Sequence, residues 1–156
     1  MAVQTAQWVT PAKLQENPVL RNLDSEEIEK VMRLAERKSY KAGDYIFQQD
    51  EKAEAMFIVE QGRVDIIIDA KPDTNLIVTN IGGGGAFGWS ALIGQDYTAS
   101  AKCYYDTELI VLDGVRLREI CFQEPRIGVK IMESLVSMVS SRLDNTRLQL
   151  LDIYAS

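Results

Sequence analysis

No histidine occurs anywhere in the 156 residues. Its absence removes Ser-His-Asp and Cys-His nucleophile pairs, most zinc sites and the usual axial ligand of a haem sensor, so the chain is not expected to be an enzyme. Cysteine is nearly as scarce. Cys103 and Cys121 lack CxxC spacing and read as reduced packing residues in a strand and a helix, redox sensing being the alternative. Cations are in deficit too: 17 Lys and Arg against 23 Asp and Glu leave a formal charge of −6. Binding along phosphate backbones needs clustered Lys and Arg, so DNA binding by this chain is not expected. No apolar run approaches the length of a membrane span, and MAVQTAQWVTPAKLQENPVL lacks the basic and apolar regions of a secretory leader. A cytoplasmic protein without membrane contact is expected. Asp65, Asp69, Asp73 and Asp106 show no compact metal-loop spacing, and no metal is assigned.

What is present suffices for one core, with 46% apolar residues in a chain of single-domain length. Residues 11–21 can form one or two short helices. Asp24 or Ser25 then caps a clearer helix with an apolar stripe at Ile28, Val31, Met32 and Leu34, ending near Arg37 and Lys38. From residue 40 to 112 the pattern changes to short β-rich runs at 45–47, 56–59, 64–68, 76–81, 99–104 and 109–112, separated by Gly43, Gly62 and Pro72-Asp73. This spacing favours an antiparallel roll or sandwich over parallel βαβ units. After Asp113 the pattern turns helical, first through Val115, Leu117, Ile120 and Cys121, then in one long helix after Pro125. Met132, Leu135, Val139, Leu143, Thr146, Leu150 and Ile153 recur along it at steps of three and four, like a coiled-coil seam. A homodimer through this helix is expected, with Leu135, Val139, Leu143 and Leu150 in its seam.

The order of helices, roll, Gly-rich loop, short helix and long helix resembles the cyclic nucleotide-binding domain. Asn22-Leu23-Asp24-Ser25-Glu26-Glu27 is similar to that family's entry to its N-terminal helix, Ala42-Gly43-Asp44-Tyr45-Ile46-Phe47 to its first hairpin, and residues 56–64 to the next. Phe87-Gly88-Trp89-Ser90-Ala91-Leu92-Ile93, followed by Tyr97-Thr98-Ala99, resembles the phosphate-binding cassette. The resemblance implies an α+β, mainly β fold: an antiparallel, jelly-roll-like β-roll at 39–113 between N-terminal helices at 1–38 and C-terminal helices at 114–156, all one domain. It also implies a regulatory role in which Gly84, Gly85, Phe87, Gly88, Trp89, Ser90, Ala91, Tyr97 and Thr98 face a cyclic nucleotide or another small anion. Asn145, Thr146 and Arg147 would be the candidates for a base contact from the final helix.

Two positions depart from the family pattern. Trp89 stands where a glutamate usually accepts from the ribose hydroxyl, and Tyr97 where an arginine usually pairs with the phosphate. Between Arg63 and Arg116 the only cations are Lys71 and Lys102, neither placed to substitute, and Arg147 is read as the cation placed to reach a phosphate. Residues 82–85 are either an amide nest for an anion or a tight turn that needs glycine. Trp89 either fills the former ribose pocket or stacks on a flatter ligand, and the Tyr97 hydroxyl could donate to an anion. The expected function is a non-catalytic sensing module, poor at binding cyclic AMP or cyclic GMP. A genuine cyclic-nucleotide receptor with altered contacts and a ligand-free dimeric module that binds a regulatory protein are the alternatives. No recognition helix for DNA follows the long helix within the sequence.

Overall fold

Two apolar tetrads, Met56-Phe57-Ile58-Val59 and Leu109-Ile110-Val111-Leu112, lie on neighbouring antiparallel strands, with Phe57 opposite Val111 and Ile58 opposite Ile110. Successive side chains on a strand point to opposite faces. Met56, Ile58, Ile110 and Leu112 therefore pack against the helices, while Phe57, Val59, Leu109 and Val111 fill the inside of the roll. Both faces are covered, which is why these runs are continuously apolar rather than alternating.

The computed structural model describes residues 3–4, 11–71 and 73–155. Its strands are β1 (Val3–Gln4), β2 (Ala35–Tyr40), β3 (Tyr45–Phe47), β4 (Ala55–Gln61), β5 (Val64–Lys71), β6 (Thr74–Ile81), β7 (Ala86–Phe87), β8 (Ser100–Cys103) and β9 (Thr107–Asp113). They form two antiparallel sheets, β1-β2-β9-β4-β7 and β3-β8-β5-β6. The helices are α1 (Pro11–Gln15), α2 (Ser25–Met32), α3 (Gly114–Gln123) and α4 (Pro125–Ala155), with a 3-10 turn at Trp89–Ile93. Among the described residues no helix is long and apolar enough to cross a membrane.

A capping box opens α2: the Asp24 carboxylate accepts from the Glu27 N–H, and Glu27 Oε1 accepts from the Asp24 N–H, both at 2.9 Å. The same Glu27 oxygen takes the Lys130 ammonium of α4 at 2.6 Å, and Lys30 of α2 pairs with Glu124 just before α4. One short helix thus anchors the start of the long one. The inner face of α4 is Ile127, Ile131 and Leu135, all buried, with Met138 packed beside them.

The sequence places residues as far as 38 in N-terminal helices, whereas α2 stops at Met32 and residues 35–40 are strand β2. This polar hexapeptide has no apolar alternation of its own. It is held by six paired positions against β9 and by Arg37, which donates to Glu60 from Nε at 2.5 Å and Nη2 at 2.9 Å. Tertiary pairing overrides intrinsic preference here. Pro72, assigned to a turn, and residues 5–10, assigned to the N-terminal helical region, lie outside the described residues.

Candidate ligand-binding cavity

The glycine run is a tight turn that carries the chain from β6 in one sheet to β7 in the other. The Gly85 N–H donates to the Gly82 carbonyl at 3.0 Å and Gly84 takes φ +87°, a conformation in which a side chain would be strained. The Gly84 N–H donates to Val59 at 2.7 Å, the Val59 N–H to Gly85 at 2.9 Å, and the Asn17 side chain to the Gly84 carbonyl at 2.8 Å. The Gly84 and Gly85 amides are thus consumed inside the fold. Of the two readings of this run, the turn accounts for its geometry.

Past Phe87 the chain reverses at Gly88, whose φ is +80°. A Cβ there would lie 3.0 Å from Phe57 Cδ1 and 3.2 Å from the Ala55 carbonyl oxygen, so glycine is required on both counts. The 3-10 turn follows and buries Ser90, Ala91 and Leu92. Phe87, Gly88, Trp89, Ser90, Tyr97 and Thr98 line a cavity of about 180 Å³ together with Phe47, Ile66, Thr79, Ala99 and Arg142. Gly84, Gly85 and Ala91 are not part of that lining.

Tyr97 is fixed inside the roll, 5% exposed. Its ring stacks on Phe47 with centroids 3.6 Å apart and planes 10° from parallel. Its hydroxyl donates to the Ala55 carbonyl at 2.6 Å and accepts from the Ala55 N–H at 3.2 Å. Burial pushes the phenol above its ordinary range. The group read as a donor for an anion therefore has its proton engaged by strand β4.

Arg142, on the inner face of α4, supplies the positive charge at the cavity. Its Nη2 donates to the Ala86 carbonyl at 2.6 Å and contacts Met138 Sδ at 3.7 Å. The guanidinium carbon sits 4.6 Å from the centroid of the Trp89 ring. No carboxylate pairs with it among the described residues. Loss of hydration pulls its pKa down. Trp89 is half-buried and also packs on the helix-side core, so it both fills space and carries the arginine.

Sequence reasoning missed Arg142. The signal for it was the continuation of the buried face, since Ile127, Ile131, Leu135, Met138 and Arg142 follow one another at steps of four, four, three and four. Arg147, read as the cation for the ligand, is exposed and lies 3.7 Å from Asp144. Thr146 donates from Oγ1 to the Arg142 carbonyl at 2.9 Å, and Asn145 is exposed. None of these three lines the cavity. In the expected seam, Leu135 belongs to the protomer's own core, whereas Val139, Leu143 and Leu150 are exposed. Burial raises the pKa of both thiols, Cys103 and Cys121. Among the described residues no three carboxylates or thiols gather as metal ligands.

A cassette-like turn between the two sheets of a β-roll, covered by a long C-terminal helix, defines a class of ligand-responsive regulatory domains. A sequence model of the cyclic nucleotide-binding domain matches residues 37–124, and the chain belongs to that family. It is similar to a cAMP-dependent protein kinase regulatory subunit of Dictyostelium discoideum, 29% identical over 139 residues, covering 88% of this chain and 42% of that protein. Among solved structures, a cyclic nucleotide-binding domain from Methylobacillus flagellatus matches with a TM-score of 0.83 at 16% identity, over 97% of this chain and 88% of that one. The catabolite activator protein of Thermus thermophilus matches with a TM-score of 0.70 at 25% identity, over 89% of this chain and 63% of that one. The chain spans 27%, 42% and 21% of the lengths of three curated relatives it matches.

Proposed function

We propose that the protein is a non-catalytic, cytoplasmic sensing module of the cyclic nucleotide-binding fold whose cassette binds cyclic AMP and cyclic GMP poorly. The observation that carries this reading is the placement of Tyr97. At the position where the family resemblance implies a phosphate-binding arginine stands a neutral ring stacked on Phe47, its hydroxyl engaged by Ala55. Trp89 replaces the ribose-binding glutamate and lies under Arg142. A charge-assisted hydrogen bond contributes roughly 1.5–3 kcal/mol, so losing a two-point arginine contact removes about 3–5 kcal/mol of phosphate affinity. At about 1.4 kcal/mol per factor of ten, a micromolar site weakens to millimolar or beyond. The cavity, about 180 Å³, is also below the roughly 300–1,000 Å³ of pockets that hold drug-sized molecules.

Signalling runs through α4. An occupant that draws Arg142 away from Trp89 and Ala86 loosens the middle of that helix from the roll, and it does so in proportion to its unequal affinity for the two arrangements. The exposed apolar side chains Val139, Leu143 and Leu150 are the surface through which a homodimer or a regulatory protein partner would register the change. Thermal unfolding with about millimolar cyclic AMP, cyclic GMP and cyclic dinucleotides tests the reading, because a ligand far above its dissociation constant stabilises by several kcal/mol. Little or no shift is expected. A large shift with cyclic AMP favours the alternative of a receptor that uses Arg142 in place of the cassette arginine.

A further inference from the structure

The cavity beneath α4 has an unusual balance of chemistry. Among the described residues Arg142 is the only charged side chain that lines it, and no acid does. Ile66, Phe87, Trp89 and Tyr97 provide apolar wall, while Thr79, Ser90 and Thr98 provide hydroxyls. Two of the rings are held by stacking, Tyr97 on Phe47, which lines the cavity too, and Phe87 on Phe57, the latter pair with centroids 5.1 Å apart and planes 14° from parallel.

We propose that this cavity binds a small aromatic monocarboxylate of benzoate size, its ring among Phe87, Trp89 and Tyr97 and its carboxylate on the Arg142 guanidinium. The assignment rests on the reading that the cassette no longer takes nucleotide phosphate. Each feature of the ligand answers one feature of the site. The volume of about 180 Å³ suits one substituted ring and is small for a nucleotide with its base, sugar and phosphate. The ring faces make aromatic contact favourable. A partly dehydrated guanidinium without a carboxylate partner calls for one negative charge, and a dianion would bring one too many. Arginine carries five N–H donors, of which Nη2 spends two, on the Ala86 carbonyl and on Met138 Sδ, so Nε and Nη1 are the groups left for a carboxylate. A single charge-assisted bond from either group suffices to hold the anion.

Trp89 and Trp8 are the two tryptophans of the chain. A Trp8→Phe background therefore makes Trp89, the ring under Arg142, the sole source of indole fluorescence. Titrating it with benzoate should give a saturable change at millimolar concentration or below. Benzamide, of the same shape without the charge, should bind at least about tenfold more weakly, the expected loss for one charge-assisted bond. Arg142→Gln should abolish the difference between the two compounds and Arg142→Lys should keep part of it, with circular dichroism establishing that each variant folds. Equal responses to benzoate and benzamide, or no response to benzoate up to several times millimolar, overturn the assignment. Cyclic AMP is titrated into the same sample. Micromolar binding of cyclic AMP overturns the reading of the cassette and the carboxylate assignment with it, whereas silence toward both compounds overturns the carboxylate assignment alone.

Discussion

The guanidinium of Arg142 lies over the indole of Trp89, 4.6 Å from its centroid, and bonds the Ala86 carbonyl from the same side chain. One residue of α4 thereby touches both β7 and the 3-10 turn, two of the pieces of chain that line the cavity. Arg142→Met keeps much of the apolar stem and removes both contacts. The lost cation–π contact is worth about 0.5–2 kcal/mol and the lost charged hydrogen bond roughly 1.5–3 kcal/mol. Recovered desolvation offsets part of this, so a net loss of about 1–2 kcal/mol is expected in urea unfolding. Amide exchange should accelerate in residues 86–93 and in α4 beyond residue 138. Unchanged exchange in both segments would show that Arg142 does not hold them together.

Tyr97→Phe leaves the N–H and carbonyl of Ala55 without the hydroxyl they now share. A loss of about 1–3 kcal/mol follows from an unsatisfied buried group. The variant also changes the alkaline limb. Burial raises the folded phenol above its unfolded value of about 10, so its contribution is complete below that pH and is lost as pH rises through the folded value. Tyr40 is raised by burial as well and shares that limb. The difference between wild type and Tyr97→Phe in urea midpoints on either side of pH 10 isolates Tyr97, and it should narrow at the higher pH. A constant difference would argue against a buried, neutral phenol.

Gly88→Ala imposes a positive φ on a residue with a side chain and drives its Cβ toward Phe57 and Ala55. The left-handed conformation alone costs about 1–2 kcal/mol, and the close contacts add to it. A fall in melting temperature of several degrees is expected. A variant as stable as wild type would mean that the turn has relaxed into another shape, which a change in Trp89 fluorescence would report.

The exposed apolar stripe of α4 predicts association. Leu143 and Leu150, each 49% exposed, lie seven residues apart on the helix. Sedimentation should give a dimer for wild type and a monomer for Leu143→Glu/Leu150→Glu, with the far-UV spectrum retained. A monomeric wild type at micromolar concentration would remove the dimer from the account.

The two apolar tetrads, the capping residue Asp24 and the break at Pro125 made the roll and its flanking helices legible in the sequence, because each is a local pattern with one structural solution. Strand β2 was not legible. Its order comes from β9 and from the Arg37–Glu60 pair, both distant in sequence. At the site, the cassette residues were visible as a motif, but their partners were not. Nothing local in residues 97–99 tells that the Tyr97 hydroxyl finds Ala55, 42 positions away. Arg142 lies outside the motif on another element, and the exposed stripe of α4 drew attention away from its buried face.

Isothermal titration of the full chain with cyclic AMP, at low millimolar ligand, tests the central claim most directly. With Tyr97 and Trp89 in the places of the two expected polar contacts, the account predicts a dissociation constant in the millimolar range or weaker. A micromolar constant would contradict it.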